Sequence, residues 1–282
     1  MLDPSFERLV RKVREERGLD LSGYKESFVR RRLQSRFRIL GIEGLDQYCA
    51  ILGKRPEEFL KLLDVLAINV TEFFRDPSLW ELFSKKLIPE LCRMRERTPA
   101  KVLRFLSAGS ASGEEAYSAA IALSETLGDQ LPRYSITIRG IDIDQDCIAK
   151  IKAGVYAPDR LKNVPAEILA KYFTREGNLY RVKPEIKKMV RAANADLMSE
   201  RLPRYFDVIF CRNVLIYFTK ESHTEIFSKL HESLSTGGFL ILGRTETLIG
   251  VNKALFETYD ARERIYRRKD TQSIVRRPSA GT

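Results

Sequence analysis

The stretch 102–117, VLRFLSAGSASGEEAY, constrains the fold more than any other part of the chain. It combines a short apolar run, a loop of Gly, Ala and Ser, and a helical pattern that begins with two carboxylates. This order is typical of the first strand, turn and helix of an open α/β sheet that binds a nucleotide-like ligand at its carboxyl edge. A flexible loop followed by a capping glutamate has the same pattern, so the loop alone leaves both interpretations open.

The residue types of this loop indicate which ligand it accepts. Gly109 and Gly113 allow the backbone to approach a ligand closely, because glycine has no side chain. Glu114 and Glu115 put negative charge at the positive end of the helix dipole and would repel a pyrophosphate there. The sequence therefore favours a cationic or hydroxyl-rich ligand over a dinucleotide phosphate.

The composition predicts a cytoplasmic protein with an acidic partner. Its 49 Lys and Arg exceed its 38 Asp and Glu, which gives a net charge of +11. No window approaches the run of about 18 apolar residues that a membrane span requires, and the N-terminus lacks the apolar core of a signal peptide. The four cysteines are scattered singly without a CxxC, so we expect reduced thiols, no metal site and no disulfide.

Periodicity divides the chain into a helical part, a sheet part and a tail. Residues 1–75 are predicted to form an N-terminal helical domain, 76–98 a linking helix, and 99–268 a domain of alternating strands and helices. The alternation breaks over about 155–188, where two short strand patterns predict a β-hairpin insertion. The basic, polar residues 269–282 are predicted to be a disordered tail.

A basic helix is predicted within the N-terminal domain. Val29, Leu33 and Phe37 form its apolar seam, and Gly41 is its stop signal. The arginines around this seam are Arg30, Arg31, Arg32, Arg36 and Arg38. A solvated helix face would have the same composition. The functional interpretation is docking onto an acidic rod or groove, because the planar guanidinium suits carboxylates and phosphates.

A polar trio precedes the α/β domain. Asn69, Thr71 and Arg75 are interleaved with Val70, Phe73 and Phe74 over residues 67–76. Asn and Thr before a helix can serve only as caps. Alternatively, an arginine held beside two phenylalanines at this point reaches into the ligand crevice of the sheet.

Two predicted strands deliver polar residues to the carboxyl edge of the sheet. The second strand ends at Asp142, where such sheets hold a ribose diol, although its interval from the glycine loop exceeds the roughly 20 residues of nicotinamide-binding folds. Asp144 can act simply as a helix N-cap. The buried strand 208–211 presents Arg212 and Asn213 at the same edge, and a short turn then presents Tyr217. His223 and His231, on the helix that follows, are expected at the surface.

Four segments together resemble a known family. With NVTEFFRD at 69–76, AGSASGEEAYS at 108–118, DID at 142–144 and FDVIFCRNVLIYF at 206–218, the chain closely resembles the CheR family of chemotaxis receptor methyltransferases. The resemblance covers nearly everything from about residue 5 to residue 267. It implies an α/β fold, namely a Rossmann-like class I methyltransferase sheet with an N-terminal all-helical domain and a small β insertion.

The resemblance also implies a reaction and its residues. The donor would be S-adenosylmethionine, the product S-adenosylhomocysteine, and the acceptor a glutamate in the cytoplasmic helical region of a chemoreceptor, with no metal and a monomeric enzyme. Carried over position by position, the donor site would comprise Asn69, Thr71, Arg75, Glu115, Asp142, Asp196, Leu197, Asn213 and Val214. Arg75 and Tyr217 are assigned as the catalytic pair, which would hold the acceptor end and the methionine moiety.

The chemistry agrees with these residue types. A sulfonium cation and a ribose diol suit the acids Glu115 and Asp142, and an acceptor glutamate is already ionised at neutral pH, so no general base is needed. Two positions depart from the family pattern: Ala116 replaces the usual proline, and Asp196 stands where an asparagine is common.

Three further interpretations concern partners. The positive charge also fits a nucleic-acid methyltransferase, but residues 212–215 read RNVL instead of the polar-Pro-Pro-aromatic turn that stacks a flipped base, so we expect no nucleic-acid partner. A basic adaptor that has kept only the fold is the non-enzymatic alternative. In the family the β insertion can pair with a tethering peptide of the receptor; only residues 175–178 separate its strands here, which predicts independence from that tether.

Overall fold

The computed structural model describes residues 3–17, 19–66, 71–96, 100–199 and 201–269. Asn69 and the predicted tail from residue 270 onward lie outside these ranges. Within the described ranges, no helix is both long enough and apolar enough to cross a membrane.

Four helices form the N-terminal part. They are α1 (Pro4–Arg17), α2 (Glu26–Leu40), α3 (Leu45–Leu52) and α4 (Glu58–Leu66). Their apolar stripes meet in one core, in which Phe6, Leu33 and Tyr48 are fully buried. Helix α2 ends because Gly41 adopts the left-handed conformation (φ 65°), and its N–H caps the last turn. The predicted helices and the stop at Gly41 are confirmed.

The next segment carries the chain onto the sheet. Helix α5 (Pro77–Leu82) continues through a π-helical turn (Phe83–Leu87) into α6 (Ile88–Arg95). Trp80 stacks on Phe210 with ring centroids 5.6 Å apart, so the predicted linking helix packs directly on a central strand.

From residue 102 strands and helices alternate. The elements are β1 (Val102–Ala108), α7 (Glu114–Leu127), β2 (Ser135–Asp142), α8 (Gln145–Ala153), β3 (Val155–Tyr156), α9 (Ala166–Tyr172), β4 (Phe173–Glu176), β5 (Leu179–Val182), α10 (Pro184–Lys187), β6 (Val190–Asn194), β7 (Phe206–Cys211), α11 (Lys220–Ser233), β8 (Leu234–Leu242), β9 (Phe256–Asp260) and β10 (Ile265–Arg268). Seven strands form one sheet in the order β6-β2-β1-β7-β8-β10-β9. The first five strands pair in parallel, and β10 pairs antiparallel with both β8 and β9, so the sheet is mostly parallel as predicted.

The central strands are buried on both faces. Phe105 and Phe210 face a core shared with α7 and the α5–α6 segment, whereas Leu106 and Ile209 face a core shared with α11. This two-sided burial explains the continuous apolar runs of the sequence. Because β1, β2 and β7 are parallel neighbours, their carboxyl ends meet at one edge of the sheet.

The insertion forms a second, three-stranded sheet in the order β3-β5-β4. The β4–β5 hairpin was predicted, but β4 extends to Glu176 and pairs there with Leu179, so only Gly177 and Asn178 form the turn. Strand β4 has a neighbour on one side only.

The predicted surface position of His231 is wrong. This side chain is 6% exposed and packs edge-on against Phe256, with ring centroids 5.3 Å apart. Helix α11 is covered there by residues 250–256. Strand β9, which begins at Phe256, was not predicted from its polar sequence FETYD. His223 is partly buried, and its Nε2 lies 2.7 Å from the carbonyl oxygen of Leu215.

Candidate active site

Two adjoining cavities open at the carboxyl edge of the sheet. They share Gly109, Ala111, Asn213 and Tyr217. One cavity is also lined by Asp142, Asp196, Leu197 and Val214, and the other by Thr71, Arg75 and Glu115. Every described residue of the predicted donor site and catalytic pair therefore lines one of the two cavities; Asn69 lies outside the described residues.

The glycine loop after β1 lies close to the ends of both neighbouring strands, β7 and β2. Gly109 adopts φ +67°, and a Cβ there would lie 2.5 Å from Cγ2 of Val214. The N–H of Ser110 donates to the carbonyl of Ile141 at 2.8 Å, which fixes the loop against the end of β2. Only glycine fits at position 109, since both the conformation and the space exclude a side chain.

Asp142 is the last residue of β2 and lines the cavity, and backbone N–H groups use part of the hydrogen-bonding capacity of its carboxylate. Its Oδ2 accepts a hydrogen bond from the N–H of Ala111 at 2.8 Å and its Oδ1 one from the N–H of Asp144 at 3.0 Å. Burial raises the pKa of Asp142, and these backbone donors oppose that shift. Each oxygen keeps a further lone pair, so the carboxylate can still accept from a diol.

Asp144 has the N-cap role that the sequence left open, because its side chain accepts from the N–H of Asp146 at 2.8 Å. Oxygens of Asp64, Asp144 and Asp146 also come within 4.8 Å of one another. This carboxylate group lies outside the two cavities.

The two acids at the start of α7 have different surroundings. Glu114 is fully buried, accepts from Ser112 Oγ and does not line either cavity. Glu115 lines the cavity, where its Oε1 accepts from Ser107 Oγ at 2.7 Å and its Oε2 from Arg212 Nη1 at 3.2 Å. Burial raises the pKa of Glu115, and the Arg212 guanidinium opposes that shift.

Arg212 is a site residue that the sequence analysis noted but did not assign. Its side chain is 3% exposed and joins three segments: besides Glu115, it donates to Asp76 Oδ2 at 2.5 Å and to the carbonyl of Arg75 at 3.1 Å. The sequence feature that could have identified this role is a cation at the end of an apolar strand, because a cation that is buried there needs carboxylate partners. Arg212 therefore connects Glu115, an acid of the predicted donor site, to the turn that carries Arg75.

The turn around Arg75 is held in an uncommon conformation. Phe74 and Asp76 have φ values of 51° and 60°, a region that non-glycine residues rarely adopt. The carbonyl of Arg75 accepts from Trp80 Nε1 at 3.0 Å as well as from Arg212. These contacts fix the point from which the Arg75 side chain enters the cavity.

Tyr217 is fixed from the helical domain. Its carbonyl accepts from the N–H of Lys25 at 3.0 Å, and its ring lies 4.8 Å from that of Phe28 on α2. Burial raises the pKa of Tyr217, and Arg75 opposes that shift. The hydroxyl is therefore protonated at neutral pH and can donate a hydrogen bond in the cavity.

Asn213 and Asp196 are each fixed by neighbouring groups. Asn213 has φ 60°, and its N–H donates to Glu246 Oε2 at 2.8 Å. The same carboxylate accepts from the N–H of Leu215 at 2.8 Å, so buried Glu246 holds the whole turn; no sequence pattern identified it. Asp196 accepts from the N–H of Met198 at 2.8 Å and from Ser199 Oγ at 2.9 Å.

The five arginines of α2 differ in exposure and pairing, and docking through them stays a prediction. Arg36 pairs with Glu58 through two hydrogen bonds of 2.8 and 2.7 Å, and the two side chains are 14% and 5% exposed. Arg30 pairs with Glu26 and Asp3, and Arg32 donates to the carbonyl of Val65. Of the five, Arg31 and Arg38 are exposed and make no ion pair with the described residues.

The chain is similar to known proteins over most of its length. Residues 4–67 match the family model described as CheR methyltransferase, all-alpha domain, and residues 69–265 match CheR methyltransferase, SAM binding domain. A chemotaxis protein methyltransferase of Borreliella burgdorferi is 31% identical over 88% of this chain and 89% of its own length. That of Escherichia coli is 31% identical over 86% and 84%. The chain therefore belongs to the CheR methyltransferase family.

Proposed function

We propose that this protein transfers the methyl group of S-adenosylmethionine to glutamate side chains of chemoreceptors, forming glutamate methyl esters. The observation that carries the proposal is the convergence of two acids, Glu115 and Asp142, with Arg75 and Tyr217 around adjoining cavities at one sheet edge. This charge pattern matches a ligand that has cationic and hydroxyl groups and an acceptor that is an anion.

The proposed donor site spans both cavities, and each cavity would hold a different part of the ligand. Asp142 would accept from the ribose hydroxyls, and Asp196, Leu197 and Val214 would surround the adenine. Glu115, Thr71 and Arg75 would bind the methionine part, where Glu115 suits the ammonium group and Arg75 the carboxylate. Asn69 stays a prediction for the same end, and Asn213 lines both cavities.

When bound, S-adenosylmethionine supplies an activated methyl group on a sulfonium. An ionised glutamate oxygen forms a bond to the methyl carbon while the carbon–sulfur bond breaks and its electron pair returns to sulfur. No proton has to move, since the acceptor is ionised at neutral pH. Arg75 and Tyr217 would orient the acceptor, and positioning of this kind lowers a barrier by about 7 to 11 kcal/mol in ideal cases.

Receptor docking is proposed for the exposed arginines of α2. Arg31 and Arg38 are free of ion pairs with described residues and can meet acidic groups of a receptor helix. Charge reversal at both should raise the Michaelis constant for receptor and leave donor affinity unchanged, and the wild-type reaction should slow at high salt. Normal receptor kinetics of this variant at low ionic strength would remove the docking role.

We also propose that receptors are recognised without a tethering pentapeptide, by a monomer in the cytoplasm. The support is the short Gly177–Asn178 turn of the β4–β5 hairpin, which offers little surface beside the unpaired edge of β4. Titration of the receptor C-terminal pentapeptide against the purified protein tests this, and micromolar binding would refute it. Sedimentation at micromolar concentration tests the monomer.

Labelled donor and receptor-containing membranes test the central proposal. We expect base-labile methyl ester on the receptor with the wild type and a large loss with Arg75→Ala. An Arg38→Ala control should keep donor binding intact. Absence of any calorimetric signal with S-adenosylhomocysteine would refute the donor, whereas donor binding without receptor methylation would refute the acceptor.

A further inference from the structure

The helical domain forms one wall of the cavity that contains Asp142 and Asp196. The residues that it contributes are Leu19, Leu21, Tyr24, Leu63 and Leu66. All five precede residue 69, where the match to the SAM binding domain begins. Four of them have apolar side chains, so among the described residues of this wall Tyr24 alone supplies a polar side-chain group.

The position of Tyr24 is determined by the sheet domain. Tyr24 forms an antiparallel β-bridge with Phe218, and the two rings lie 4.5 Å apart. The N–H of Thr219 donates to the carbonyl of Gly23 at 2.8 Å, which extends this pairing by one residue. The tyrosine is therefore held against the turn that follows β7, close to the cavity.

The hydroxyl of Tyr24 has no hydrogen-bond partner among the residues that the structure describes, although the carboxylates of Asp142 and Asp196 line the same cavity. Burial raises the pKa of Tyr24 strongly, and the nearby charges of Asp196 and Asp142 raise it further. The phenol therefore stays protonated at neutral pH and retains an unused donor. Tyr24 is partly buried, so this donor remains available to a ligand that enters the cavity.

We infer that Tyr24 is a donor-binding residue, whose hydroxyl hydrogen-bonds the adenosine half of S-adenosylmethionine in the cavity that Asp142 and Asp196 also line. This inference rests on the proposed function. The two acids of this cavity can accept from ribose and adenine groups, whereas Tyr24 can both donate to a ring nitrogen or ribose oxygen and accept from a hydroxyl. It thus supplies a donor that neither carboxylate provides when ionised.

The proposed contact of Tyr24 predicts how the loss of its hydroxyl changes the affinity for different ligands. Because Tyr24 lines the cavity of Asp142 and Asp196 and not that of Glu115 and Arg75, its contribution should not depend on the amino-acid part of the ligand. S-Adenosylhomocysteine and 5′-methylthioadenosine, which lacks the amino-acid part, should lose affinity by the same factor when the hydroxyl is removed.

Tyr24→Phe tests the inference, since the ring contacts with Phe218 remain and only the hydroxyl is lost. Calorimetry with S-adenosylhomocysteine and with 5′-methylthioadenosine should give about 3- to 10-fold weaker binding of each, the effect of one neutral hydrogen bond. Tyr48→Phe is the matched control: this tyrosine donates to Glu58 at 3.2 Å in the helical core, outside both cavities, and its loss should leave both affinities unchanged.

The outcomes separate the two proposals. Wild-type protein that binds neither ligand would refute the proposed function. Wild-type protein that binds both while Tyr24→Phe binds equally well would refute the role of Tyr24 alone. A loss confined to S-adenosylhomocysteine would refute the assignment to the adenosine half, and unfolding curves without ligand show whether each variant is folded.

Discussion

Replacing Arg36 with methionine distinguishes an arginine that stabilises the fold from one that binds a partner. Methionine keeps most of the apolar stem but removes the two hydrogen bonds to Glu58. Hydrogen bonds to charged groups contribute about 1.5–3 kcal/mol each, and the loss of one partner of a buried ion pair costs about 3–5 kcal/mol. With the Glu58 side chain only 5% exposed, we expect the free energy of unfolding of the helical domain to fall by about 3–5 kcal/mol.

Urea unfolding followed by circular dichroism at pH 7 measures this loss, with Arg31→Met as the control on the same helix. Arg31 is exposed and makes no ion pair within the described residues, so its replacement should change stability by about 0.5 kcal/mol at most. Adding Glu58→Gln to Arg36→Met should recover part of the loss, because the unpaired charge is then removed.

Receptor kinetics of the folded fraction complete the comparison. Arg36→Met should retain the Michaelis constant for receptor, and Arg31→Met should raise it. If the Arg36→Met variant is as stable as the wild type and has a raised Michaelis constant for receptor, the reasoning is refuted, since Arg36 would then belong to the docking surface.

Three further perturbations address the donor site. Asp142→Asn should weaken S-adenosylhomocysteine binding by about 1–3 kcal/mol; because burial raises the pKa of Asp142, wild-type affinity should also fall as the pH drops through that raised value, and a calorimetric pH series should show a smaller fall in the variant. Arg212→Lys should keep part of the activity and Arg212→Met very little, because only a cation offsets Glu115; equal activity of the two in the methylation assay would contradict this. Gly109→Ala should destabilise the fold by about 1–3 kcal/mol, from its φ of +67° and its clash with Val214, and unchanged thermal unfolding would exclude that strain.

The parts of the site that follow from local pattern could be predicted. Gly109 lies in a loop whose small residues mark a strand-to-helix turn, and Asp142 follows an apolar strand directly. In a parallel sheet, these strand ends must lie at one edge. The sequence therefore identified the edge and most of its side chains without information on how the domains meet.

Contacts between distant segments could not be predicted in this way. Arg36 and Glu58 are 22 positions apart on different helices, so composition counted a partly buried, paired arginine as surface charge. Glu246 holds the Asn213 turn from 33 positions away. His231 is buried because residues 250–256, later in the chain, cover its helix. Each of these contacts depends on tertiary packing, which produces no periodic pattern in the sequence.

The pairing of residues 23–25 with 217–219 bears on how members of this family can be recombined. The start of helix α2 and the turn that presents Tyr217 are held together by the Tyr24–Phe218 bridge, by Lys25 N–H on the Tyr217 carbonyl, and by Lys25 Nζ on the Ile216 carbonyl at 2.8 Å. A chimera that takes its helical domain from a relative with another receptor preference would replace one side of this pairing. Such chimeras should have a high turnover number only when residues 215–219 are exchanged together with the helical domain. Receptor preference and reaction geometry would then be transferred as one unit.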